Sequence, residues 1–200
     1  DDVTLTANFD YRPYTIKVNV NEAALATIEL NGTEVASGDE TQFGYTEHVT
    51  VTVTPVANYH IVNGTTPYTN ASPLLFDVEV LENLEYNYTI VPDTFHVSIT
   101  ATGNGSIANF TDGDFAYGDV ITGVEAVADA NYHFLNWSDA ETNAIHSDIT
   151  VDGDITLTAN FSIDAYDFTV VSEDELKGTV TGSQTGVNHG DNVTATATPL

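Results

Sequence analysis

The segment DVTLTANF at residues 2–9 returns 152 positions later as DITLTANF at residues 154–161. A chain that repeats itself folds as copies of one unit, so this recurrence restricts the fold more than any other feature. Asn58-Tyr59-His60 recurs as Asn131-Tyr132-His133, an offset of 73, and Phe95-His96-Val97 recurs as Phe168-Thr169-Val170 at the same offset. Gly118-Asp119 reappears as Gly190-Asp191, 72 positions on. The unit is about 73 residues, with a small insertion in the earlier copy. On that ruler residues 1–10 are the closing strand of a preceding repeat, 11–93 and 94–165 are repeat modules, and 166–200 are the first half of a further repeat. Segments 10–13, 89–94 and 162–167 join them. Connectors of four to six residues are too short for a floppy tether, so the expected architecture is a linear, semi-rigid array.

Within a unit the pattern is β. Residues 49–54 (VTVTVT) and 193–198 (VTATAT) alternate strictly between apolar and polar positions, as half-buried strands do. Turns rich in Gly, Asn and Asp punctuate them: Asn31-Gly32, Asn63-Gly64, Gly103-Asn104-Gly105 and Asp152-Gly153-Asp154. One stretch, 21–30 (NEAALATIEL), has helical composition. Its place in the repeat aligns it with TGNGSIANF at 102–110, which predicts a turn followed by a strand. The expected fold is all-β, built from tandem small β-rich modules.

The module at 94–165 runs GNGSIANF, then FAYGDVITGVEAVADANYHFLNW, then DITVDGDITLTANF. That order resembles the internalin-B-type B-repeat of microbial surface proteins in its divergent form, most specifically at 117–137 and 154–161. The module at 11–93 departs from it, with no Trp and a Pro- and Thr-rich loop at 62–75. The resemblance implies an extracellular β-rich module of a stalk or adhesin, with no catalytic residues to carry over. Read from their chemistry, Tyr132, Phe134 and Trp137 are core-filling aromatics, each able to bury roughly 150–250 Å². Units near 73 residues are marginal alone, so neighbouring repeats matter to stability.

Three basic residues, Arg12, Lys17 and Lys177, stand against 30 acidic ones, for a net charge of −27. Nucleic acid is excluded as a partner, because a phosphate backbone is bound by Lys and Arg. An anionic membrane surface repels such a chain, and no apolar run of about 18 residues exists to insert into a bilayer. There is no cysteine, so disulfides and thiolate chemistry are absent.

Catalysis finds little support. His48, His60, His96, His133, His146 and His189 are scattered, without zinc-binding spacing or a nucleophile elbow. His60 and His133 share one position of the repeat, which fits a packing or turn role better than an active site. Calcium is the one cofactor with candidates. Asp112, Asp114 and Asp119, and Asp148, Asp152 and Asp154, gather hard oxygen ligands in turns. The competing reading is that Asp favours turns because its side chain bonds its own backbone.

Glycosylation sequons occur at Asn31, Asn63, Asn70, Asn87, Asn104, Asn109, Asn136, Asn160 and Asn192. With 17 Asn and 39 Ser or Thr among 200 residues, random order gives about three, so nine is an excess. It points to a secreted chain modified on asparagine, or to a by-product of Asn turns in a Thr-rich β array. Asn160 fits the second reading, since its counterpart Asn8 has no sequon. An intramolecular Lys–Asn isopeptide needs a buried lysine, and Lys17 and Lys177 are not at equivalent positions.

The leading expectation is a non-catalytic extracellular structural protein at the cell surface, either the repeat region of a stalk or adhesin or the subunit of a fibre. Its partners are then neighbouring repeats or copies of itself, with residues 2–9 of one copy completing the half-repeat of the next by β-strand complementation. About 25 residues of a full unit are missing from that junction, which favours an excerpt of a longer array or a looser complementation. The alternatives are an adhesion module binding carbohydrate or protein through Tyr59, Tyr68 and Tyr117, and a spacer region of a secreted enzyme. Acidity spread over every unit describes a self-repelling outer surface suited to salt. Raising ionic strength from 0.1 to 1 M shortens the screening length from about 10 to about 3 Å. Added salt or divalent cation is therefore expected to raise the melting temperature or promote association, and a melting temperature flat in both would reject this.

Overall fold

The structure, a computed structural model, describes residues 3–7, 12–65 and 73–200. It divides into two compact units, residues 1–94 and 95–200. Among the described residues the first carries eight strands: β1 (Tyr14–Val20), β2 (Ala26–Leu30), β3 (Thr33–Val35), β4 (Glu40–Phe43), β5 (His48–Pro55), β6 (Tyr59–Gly64), β7 (Leu74–Glu79) and β8 (Leu84–Pro92). They form two four-stranded sheets, ordered β4-β1-β8-β6 and β3-β2-β5-β7. The period-2 sequence places one face of each sheet inward. Val49, Val51 and Val53 of β5 meet Ile16 and Val18 of β1 and Tyr86, Tyr88 and Ile90 of β8 in one core. The helix-like stretch is a single 3-10 turn at Ala23–Leu25 followed by β2, as the repeat alignment requires.

The second unit repeats the plan with β9 (Thr94–Ala101), β10 (Gly105–Ala108), β11 (Gly113–Ala116), β12 (Val120–Ile121), β13 (Glu125–Ala128), β14 (Tyr132–Trp137), β15 (Ile149–Thr150) and β16 (Ile155–Ile163). One sheet is again four-stranded, β11-β9-β16-β14; the other face is reduced to the pairs β10-β13 and β12-β15. Trp137, fully buried, fills the centre with Val97, Val124, Val151, Leu157 and Ala159 around it. Phe134 packs against the same core, whereas Tyr132 is only half-buried.

In both units the closing strand lies at the middle of its sheet, parallel to the opening strand. Ile16 faces Leu84 and Val20 faces Tyr88 in the first, and Val97 faces Ile155 and Ala101 faces Ala159 in the second. Beyond β16 come β17 (Ala165–Phe168), β18 (Gly178–Thr181), β19 (Gln184–Asn188) and β20 (Thr196–Pro199), paired as β17-β19 and β18-β20.

Three expectations change. Residues 3–7, expected to be a closing strand, carry no strand, and Val3 and Leu5 are 84% and 93% exposed. A strand holds its extended shape through the ladder it makes, and β16 shows which ladder this sequence forms when a partner is present. The connectors at 89–94 and 162–167 shrink to single residues, Asp93 and Asp164, because β6 stays paired with β8 to Pro92 and β14 with β16 to Ile163. The Pro- and Thr-rich loop at 62–75 is trimmed at both ends, by β6 to Gly64 and by β7 from Leu74. Tyr68 and Asn70 lie outside the described residues, as do residues 8–11.

Gly105 opens β10 under the Phe161 ring, and a methyl group added there would lie 2.5–2.7 Å from three ring carbons. In the second unit this approach leaves no room for a side chain unless the Phe161 ring shifts. Gly105→Ala is expected to destabilise the second unit by about 1–3 kcal/mol through forced repacking. Denaturant unfolding followed by Trp137 fluorescence measures this, and a loss below about 0.5 kcal/mol would contradict it.

Candidate functional site

The polar residues that recur between units are held by bonds inside those units. Asn58 and Asn131 adopt left-handed φ angles of 65° and 67°, turning the chain into β6 and β14. The carbonyls of these asparagines accept the N–H of Asp93 (2.8 Å) and of Asp164 (2.9 Å). Two residues on, His60 Nδ1 lies 2.6 Å from Asp93 Oδ1 and His133 Nδ1 lies 2.9 Å from Asp164 Oδ1. Asn-Tyr-His is therefore a clasp that grips the aspartate following its own closing strand by backbone and side chain together. These pairs are partly exposed, so each contributes little to stability, about 0–1 kcal/mol.

Four of the six candidate calcium ligands are engaged in hydrogen bonds, three of them along β9. Asp112 accepts Ser98 Oγ–H (2.7 Å) and Ile99 N–H (3.2 Å), and the Ser98 bond foremost holds its carboxyl below the usual range. Asp114 meets His96 Nδ1 at 2.9 Å, and Asp154 accepts the His96 N–H at 2.9 Å. Asp119 accepts the Ala116 N–H at 2.9 Å, a turn cap matched by Glu47 on the Gly44 N–H in the first unit. Asp148 and Asp152 are exposed. Among the described residues no three His, Cys, Asp or Glu side chains converge to hold a metal ion.

The sequon asparagines separate by exposure. Asn31, Asn104 and Asn109 sit in turns at positive φ, Asn63 and Asn87 on strands, and Asn192 in a loop, all exposed. The side-chain nitrogen, the atom that would carry a sugar, is engaged at Asn109, donating to Gly123 O (3.2 Å). Asn136 is half-buried and accepts the Asn160 side-chain N–H across the sheet at 2.9 Å. Lys17 lies 3.8 Å from Glu85 and Lys177 lies 2.9 Å from Asp174, and neither is buried. Tyr59 and Tyr117 are half-buried; Tyr117 packs edge-on against Phe95 at 6.4 Å.

One polar cluster is not foreshadowed by the repeat. After β14 the loop 138–148 folds back over Trp137. Ala140 turns at φ +77°, the Trp137 N–H donates to Glu141 O (2.8 Å), and the indole N–H donates to Asn143 O (2.9 Å). His146 is buried edge-on against the indole, ring centres 5.3 Å apart. Its Nδ1 lies 2.7 Å from Ser147 O and its Nε2 lies 3.0 Å from Asp139 Oδ2. Both neighbours are acceptors, so both ring nitrogens must donate, and the geometry suits the imidazolium. Burial opposes that charge, but the Ser147 carbonyl, Asp139 and Glu141 together outweigh it and raise the His146 pKa. Ser147 donates from N and Oγ to Glu141, which lowers the Glu141 pKa. Asp139 is lowered as well, its desolvation outweighed by the Glu141 N–H and His146. The cluster caps Trp137 with a paired charge. The only sequence signal for it is an isolated histidine in an acidic loop present in one unit alone.

The sign of the pH dependence follows. A raised histidine pKa stabilises the fold below its ordinary value of 6.5 and loses that effect as pH rises through the raised value. The lowered carboxylates stabilise above their ordinary values of 3.8 and 4.5 and lose the effect as pH falls through the lowered ones. The melting temperature of this unit, read from Trp137 emission, is expected to peak between about pH 4.5 and 6.5. His146→Gln is expected to remove the decline on the alkaline side; an unchanged profile would reject the pairing.

A family model described as a divergent InlB B-repeat domain matches residues 95–165 and 168–200. No curated protein and no solved structure matches the chain.

Proposed function

The chain belongs to the divergent InlB B-repeat family, a repeat family typical of surface proteins, and from that premise we propose that it is a non-catalytic structural segment of an extracellular stalk or adhesin. The observation that carries this reading is the reuse of one closed module whose recurring polar residues are committed to internal bonds. His60 and His133 hold Asp93 and Asp164, and Glu47 and Asp119 cap equivalent turns. A module of this kind extends a chain and presents an acidic, Thr-rich surface rather than a reaction site. Among the described residues no helix is long and apolar enough to cross a membrane. The sequons at Asn31, Asn63, Asn87, Asn104 and Asn192 stand exposed on that surface and suit attached glycans.

Two measurements on the native source test the proposal. Brief protease treatment of intact cells is expected to release peptides from the repeats, and peptides appearing only after lysis would overturn an extracellular location. Peptides from the native source that span the exposed sequons are expected to exceed their polypeptide masses in sugar-sized steps; bare peptides at every one of them would exclude glycosylation.

A further inference from the structure

At one cross-strand pair in each unit a large aromatic faces a small residue, and the two units place the aromatic on opposite strands. The clasp marks equivalent places without reference to residue type. Gly64 stands four residues after His60, and Trp137 stands four after His133. Tyr88 stands five residues before Asp93, and Ala159 stands five before Asp164. The sheets agree with that alignment. Gly64 is opposite Tyr88 across β6 and β8, and Trp137 is opposite Ala159 across β14 and β16. On the other side Tyr88 is opposite Val20, and Ala159 is opposite Ala101. The large and small members of the pair have changed places.

The packing shows that the exchange is one of volume. Trp137 and Ala159 are both fully buried in the second core. Tyr88, 3% exposed, belongs to the first core, and its ring lies so close to Gly64 that a methyl group built there would overlap ring carbons. A close-packed interior accepts one arrangement of a given volume and resists a second large side chain in the same space. The exchange leaves one polar mark. The Trp137 indole N–H donates to Asn143 O at 2.9 Å, whereas the Tyr88 hydroxyl is buried with no hydrogen-bond partner among the described residues. An unpaired buried hydroxyl costs stability, so this position requires the ring and not its oxygen. We infer that the first unit is a diverged copy of the repeat matched at 95–165, in which the central aromatic has crossed to the neighbouring strand and Gly64 and Tyr88 form one compensating pair. The first module lacks tryptophan because Tyr88 fills the space that Trp137 fills in the second. The inference rests on packing inside each unit and is independent of where the protein resides.

A double-substitution cycle in the 200-residue chain tests the pairing, read by hydrogen exchange of the β1 and β8 amides, which report on the first unit alone. Gly64→Trp is expected to overpack the centre and Tyr88→Ala to empty it, so each lowers protection there. Together they rebuild the arrangement of the second unit, and the double variant is expected to be better protected than both single ones. A double variant that falls short of either single one would overturn the inference. Tyr88→Phe keeps the ring without the oxygen and is expected to protect these amides at least as well as the parent; a fall in protection would also overturn it. Ala159→Tyr adds a second ring where Trp137 remains and is expected to lower protection of the β9 and β16 amides. Unchanged protection there would show that the two positions do not share one space, and the inference would fail.

Discussion

The parallel pairing of the first and last strands is the interaction on which each module depends. β8 lies between β1 and β6, and β16 lies between β9 and β14, so the last segment of each module becomes the centre of its sheet. Before it arrives, the opening strand and the aromatic strand have no common partner, and the core lacks Tyr86, Tyr88 and Ile90, or Leu157 and Ala159. Such a fold is dominated by contacts between residues far apart in sequence, and loop closure must precede much of the gain from burial.

The acidity has two roles within this frame. Much of it faces solvent, but part is fixed in place. Asp112, Asp119, Asp154 and Glu47 accept backbone N–H groups, and Asp93 and Asp164 receive histidines. Carboxylates suit these positions because they accept strong, charge-assisted bonds from turn and strand donors. Lysine and arginine would supply only donors where donors are already in surplus. The shortage of basic residues thus fits the way the turns are built, with histidine as a local side-chain partner of Asp.

The repeat was legible because it is written in residues: DITLTANF, Asn-Tyr-His and Gly-Asp mark equivalent places, and the helix-like NEAALATIEL was assigned correctly only through its alignment with TGNGSIANF. The neighbours of each strand were not legible. Alternation fixes which face of β16 is buried but not which strands flank it, so its parallel, central position has no signature in the sequence. The connectors were overestimated because Pro92 and Asp93 resemble linker composition, whereas pairing to β6 carries β8 through Pro92. The clasp was half visible, since His60 and His133 recur, but their partners lie 33 and 31 residues away. The His146 cluster left almost no trace, because Asp139, Glu141 and Ser147 are assembled by one irregular loop whose shape depends on Trp137.

The parallel alignment of the opening and closing strands also determines how a module responds to force. The chain enters at the start of β9 and leaves at the end of β16, and because the two strands run the same way, entry and exit lie at opposite ends of one ladder from Val97–Ile155 to Ala101–Ala159. Tension along the backbone therefore slides one strand against the other and loads all the bonds of that ladder together. An antiparallel arrangement would place both ends at the same side and let the bonds open one at a time. The strand order that makes each module slow to close makes it hard to pull apart.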